Sequence, residues 1–160
     1  MRIILSFASI LLLLLVFAPI VSNAQYIEKK TVSLELAKKI AAAAETEAAK
    51  NKWTVVIAIV DEGGSLIYLS RMDNTQSGSI EVAIQKAKCA INFKRATKVF
   101  EDQVAGGRNA ILSLPGVLAI EGGLPLVVNN QFVGAIGVSG AKSNEDGMVV
   151  KAGVDFFTGQ

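Results

Sequence analysis

The 160-residue sequence predicts an α/β (α+β) domain: a mainly antiparallel sheet of about five strands with helices packed on it. Three observations predict it. The length suits one domain rather than two. An apolar fraction of 51% with only 19% charged residues supplies a core and argues against a disordered chain. The periodic segments run helix, two strands, two helices, three strands, helix, with hairpin-type turns between neighbouring strands. No internal repeat, linker or low-complexity segment interrupts them.

The chain opens with a basic Met1-Arg2, an apolar run from Ile3 to Phe17, Pro19, and Ser22-Asn23-Ala24. Small residues at 22 and 24 fit signal-peptidase cleavage before Gln25. Residues 1–24 are therefore read as a signal peptide and 25–160 as the single mature domain, periplasmic or secreted. The alternative is an N-terminal membrane anchor, because Ile3 to Val21 is just long enough to span a bilayer.

In the mature part, Ser33 is a candidate N-cap, and Leu36, Ala37, Ile40 and Ala44 recur at helical spacing over 34–50. Thr54 to Val60 is a β-branched run that reads as a buried strand. Asp61-Glu62-Gly63-Gly64 turns it into a second strand, Ser65 to Arg71. A helix over 79–93 has one apolar stripe (Ile80, Ala83, Ile84, Ala87, Ala90, Ile91) and a second, roughly opposite (Val82, Cys89, Phe93), with Lys86 at its edge. Two stripes mean contact on two sides: a helix sandwiched within one chain, or one at a subunit interface. A short helix follows over Thr97–Ala105, then a turn over Asn109–Leu114. Strand candidates are Val117–Ile120, Leu124–Val128 and Phe132–Val138, with Asn129-Asn130 as a hairpin turn. The last helix is expected over Glu145–Phe156.

Composition excludes several chemistries. The sequence has no histidine, so a Ser-His-Asp triad, His-ligated zinc and a proximal-His haem are absent. One cysteine excludes an internal disulfide, a CxxC site and a cysteine-held iron–sulfur cluster. No metal site is expected. A net charge of +2 speaks against a nucleic-acid partner, and Lys94, Arg95 and Lys98 read as a solvated end. Gly134, Gly137 and Gly140 are spaced GxxGxxG without a βαβ unit. They read as places where a backbone or helix packs close to a strand.

Four polar positions are site candidates that would matter if they shared one cleft. Glu121 precedes Gly122-Gly123; a carboxylate beside two exposed amides suits proton transfer next to a bound anion, or the glycines merely make a turn. Arg71 can clamp a carboxylate, or pair locally with Asp73. Lys86 is a ligand-binding cation or half of a structural ion pair, and Arg108 follows another glycine turn. Tyr26, Tyr68, Met72, Cys89 and Met148 are the familiar side-chain types able to ligate a haem iron; packing roles compete at each. Cys89 is a free thiol or a link to a second subunit.

The stretches VDEGGSLIYLSRMD (60–73), SIEVAIQKAKCA (79–90), EGGLPLVVNNQFVGAIGVSG (121–140) and Asp146 to Gly153 together resemble the GlcG/HbpS-like family over about 31–158. Each piece is weak alone; their order is specific. The resemblance implies a profilin-like fold with helices on both sheet faces and assembly into homo-oligomers. It also implies links to haem binding and degradation, to sensing beside a membrane kinase, and to a lyase acting on a small aromatic acid. This sequence departs from members that bind haem through histidine. The leading expectation is an exported, oligomeric haem-binding protein. One alternative is a lyase-type enzyme in which Arg71 or Lys86 holds a small organic acid, Glu121 moves protons and the Gly122-Gly123 amides steady negative charge. The other is a non-catalytic subunit docking on a membrane sensor.

Overall fold

Ser33 starts the first helix as its sequence implies, its hydroxyl accepting from the Leu36 amide at 3.2 Å. The computed structural model describes residues 27–159, so the expected leader and Tyr26 lie outside the described residues. Helix α1 spans Leu34–Lys50, followed by β1 (Val56–Asp61), β2 (Leu66–Arg71), α2 (Ser79–Phe93) and α3 (Lys98–Ala105). A 3₁₀ turn over Asn109–Ser113 leads to β3 (Gly123–Val128), β4 (Gln131–Ser139) and α4 (Ser143–Thr158).

The four strands form one sheet in the order β2-β1-β4-β3, and every neighbouring pair is antiparallel. The centre strand β1 shows why both faces are covered. Val55, Ile57 and Ile59 point into the core shared with α1 and α4, including Ile40, Ala44, Val149 and Val150. Val56 and Ala58 face Ala83 of α2, and Val60 faces Ala87, Ala90 and Ile91. A strand with alternate residues in two cores reads as a continuous apolar run. Asn129 and Asn130 take φ 49° and 61°, the paired positive values of a tight hairpin turn.

Four strands form rather than about five. Val117 to Ile120 does not pair; Val117, Leu118 and Ala119 instead pack over Cys89 and Phe100. Leu118 turns its amide to the Cys89 sulfur, 3.3 Å away, in place of a strand neighbour. This segment, α3 and the 3₁₀ turn form an outer layer on α2, where Phe93 and Phe100 meet edge to face at 5.3 Å. The second stripe of α2 is thus covered within the chain at Cys89 and Phe93, while Val82 is half-buried. The close-packing reading of the glycines holds: a Cβ on Gly137 would stand 2.1 Å from the Ala83 carbonyl of α2. Helix α4 starts at Ser143, two residues ahead of expectation. The Glu145 carboxylate reaches back to the Lys142 amide at 3.0 Å, and Asp146 to that of Ala141 at 3.1 Å.

Candidate functional site

The start of β3 is where the fold brings most chemistry together. Thr97 holds it from both sides: its amide donates to the Gly123 carbonyl and its hydroxyl accepts from the Gly123 amide, each at 3.0 Å. The Val138 amide donates to the Gly122 carbonyl at 2.8 Å. Gly122 takes φ 121°, and a Cβ there would stand 2.8 Å from the Lys86 ammonium. Glycine is therefore required where the backbone passes over a charge. The Gly123 amide is engaged inside the fold and is not presented to an anion.

Lys86 is 1% exposed and Asp146 2%, and their charged atoms meet at 2.8 Å. Lys86 also donates to the Val138 carbonyl at 3.0 Å. Burial pushes the Asp146 carboxyl above its usual range, and the Lys86 ammonium pulls it back. The ion-pair reading of Lys86 is the one its geometry matches. The pairing with Asp146, 60 positions away, is what sequence reasoning missed: Asp146 enters there only as the start of a family-like stretch.

Glu121 lines a cleft of about 370 Å³ with Lys98, Gly122, Leu124, Gly147 and Val150. Its amide is bound by the Glu101 carboxylate. Its own carboxyl rests on Gly147, where a Cβ would come within 2.2 Å of Oε1. Burial raises the Glu121 carboxyl above the ordinary range, Lys98 opposes this, and Glu101 and Asp102 add to it.

The other candidates do not join this cleft. Arg71 ends β2, the opposite edge strand, and its guanidinium grips the Thr75 carbonyl at 3.0 and 2.6 Å. Three inter-strand steps of about 4.8 Å put it roughly 14 Å from the β3 edge. Arg71 is thus not beside Glu121, and Lys86, though close by under Gly122, is already held by Asp146 and the Val138 carbonyl. Arg108 is exposed beyond α3. Tyr68 and Met72 pack partly buried against the α1–α4 core. Cys89 is a fully buried free thiol, pushed up by burial, and so not placed to link two subunits. Met148 is exposed on α4.

A second cavity, about 450 Å³, is lined by Ile27, Lys29, Lys30, Ile91, Lys94 and Phe132, with Glu28 and Glu62 also on its wall. Lys94 ends α2 in the left-handed region, and its ammonium lies 5.5 Å from the Phe132 ring centre. Among the described residues Lys29, Lys30 and Lys94 form no ion pair with a carboxylate. None of Tyr68, Met72, Cys89 and Met148 lines either cavity.

A four-stranded antiparallel sheet sandwiched between helices, with glycine-lined turns at its edge, defines a small α+β domain of HbpS type. The chain belongs to the HbpS-like family, whose model, described as "Haem degrading protein HbpS-like", matches residues 32–155. It is 42% identical to Protein GlcG of Escherichia coli (strain K12) over 111 residues, 69% of this chain and 83% of that protein. The crystal structure of HbpS is similar with a TM-score of 0.77 and 29% identity, covering 84% of this chain and 95% of the other. The PduOC:haem complex is similar with a TM-score of 0.70 and 26% identity, covering 78% and 94%.

Proposed function

We propose that the protein is an exported, homo-oligomeric haem-binding protein, serving haem handling or reporting to a membrane sensor. The observation that carries this reading is the second cavity in a member of this family: around Phe132, Ile91 and Ile27, three lysines that form no ion pair among the described residues outnumber two glutamates, Glu28 and Glu62. Haem is an apolar disc with two carboxylates. Lysines suit the carboxylates, and Phe132 with the two isoleucines suits the disc. The iron is a different matter. The described Tyr, Met and Cys residues do not face this cavity, so they do not fit an iron clamped between two side chains. Tyr26, next in the chain to Ile27, is the remaining candidate and lies outside the described residues. Bound haem would supply iron redox chemistry; this chain's residues hold its edge and exclude water from one face.

The test is a haemin titration of the purified protein, followed at the Soret band. A saturable, stoichiometric shift is expected, weakened when Lys29, Lys30 and Lys94 are changed together to alanine. Tyr26→Phe is expected to alter the band position, whereas Met148→Leu leaves it unchanged. A spectrum matching haemin with an unrelated protein overturns the reading. Export is tested separately: the protein recovered outside the cytoplasm should begin at Gln25.

A further inference from the structure

The cleft beside Glu121 plays no part in that reading. Its walls are largely apolar, with Ala96, Leu124, Val150 and Val154 facing the space. Each lysine near it already has an aspartate: Lys86 with Asp146 at 2.8 Å, Lys98 with Asp102 at 2.7 Å, and Lys151 with Asp155. Two glutamates have no such partner among the described residues. Glu101 accepts from the Glu121 amide and the Ser143 hydroxyl, bonds that leave its charge in place. Among the described residues the Glu121 carboxyl accepts no hydrogen bond and forms no ion pair, although Lys98 is close enough to ease its charge. Counted by pairs, the surplus around the cleft is negative.

The seat of Glu121 is built rather than incidental. Gly147 lies inside α4, where glycine costs about 1 kcal/mol relative to alanine. Any side chain there would strike the Glu121 carboxyl. The glycine keeps that carboxyl against the helix, at the wall of an apolar space.

We propose that this cleft binds an organic cation: an ammonium head on Glu121 and an apolar body against Leu124, Val150 and Val154. An ammonium brings three donors to a carboxylate that has none, and the resulting charge-assisted bond gains strength from the apolar walls. The volume falls in the range of small-molecule sites. An anion meets the wrong surplus. A metal ion finds no group of three ligating side chains among the described residues.

Benzylamine is the probe, with benzyl alcohol and benzoate as matched controls, read by amide NMR shifts of the whole protein. Benzylamine should give saturable shifts at Gly122, Gly123, Gly147 and Val150. Benzyl alcohol should bind at least tenfold more weakly, and benzoate should leave these amides unmoved. Glu121→Gln should weaken benzylamine at least tenfold while the rest of the spectrum stays native. Gly147→Ala, which displaces the carboxyl from its seat, should weaken it too. Absence of saturable shifts at these amides, equal affinity in Glu121→Gln, or tighter binding of benzoate would overturn the proposal.

Discussion

At Glu121 a proton answers to two opposed sets of influences. Desolvation, Glu101 and Asp102 raise its affinity for the proton, while Lys98 and, to a smaller extent, Lys86 lower it. The folded chain therefore keeps this proton to higher pH than the unfolded chain, whose carboxyl titrates near the ordinary value of 4.5. Through the interval above that value the folded state binds more protons, so this group's contribution to stability is lost as pH rises through the raised midpoint. The contribution is small because the carboxyl is only half-buried. The midpoint itself is the sharper observable. A carbon-detected NMR titration should place it above 4.5; Glu101→Gln should move it down and Lys98→Met up. Opposite shifts would mean that Lys98 and Glu101 are not the neighbours that set it. Glu121 was legible in the sequence because a carboxylate beside two glycines is unusual. Its surroundings were not, since Lys98 and Glu101 come from α3 and Gly147 from α4, both distant in sequence from Glu121.

At the scale of elements, α2 and α4 are joined through the buried Lys86–Asp146 pair. Taking two charges out of water is costly, and removing one partner leaves the other unpaired. Lys86→Met alone or Asp146→Asn alone should each lower stability by about 3–5 kcal/mol, measured by urea unfolding. The double variant Lys86→Met/Asp146→Leu should recover most of that loss, because two apolar side chains need no partner. A double variant as unstable as the single ones would show that the pair also holds the Gly122 backbone, over which Lys86 is packed. The helix boundaries of α1 and α2 could be read from their apolar periodicity, and the strands from their β-branched runs. Val117–Ile120 misleads because an apolar stretch of that length serves equally to cover a helix. The two stripes of α2 announce two contacts but not their source; here one is the sheet and the other is the chain's own α3 layer.

For the whole molecule, an internal cover for α2 removes one argument for assembly through that helix and moves the question to the outer layer. Leu112 is 60% exposed, Leu114 42% and Ile120 43%, all on the segment that lies over α2. Single exposed apolar side chains are ordinary on a soluble surface; several on one short segment point to contact. The edge strands are a less favourable route. β3 carries Pro125, which has no amide to donate, and β2 ends in Arg71, whose guanidinium is tied to its own loop. If copies of the chain meet through the outer layer, light scattering should give a defined multiple of the monomer mass. Leu112→Glu with Leu114→Glu should reduce that mass to one chain, with helix content unchanged by circular dichroism. The same variant should retain saturable haemin binding, since neither Leu112 nor Leu114 lines the cavity of Lys94 and Phe132. A wild-type chain that is already monomeric would remove the homo-oligomer from the proposed function. Loss of haemin binding together with the assembly would instead place the haem between subunits.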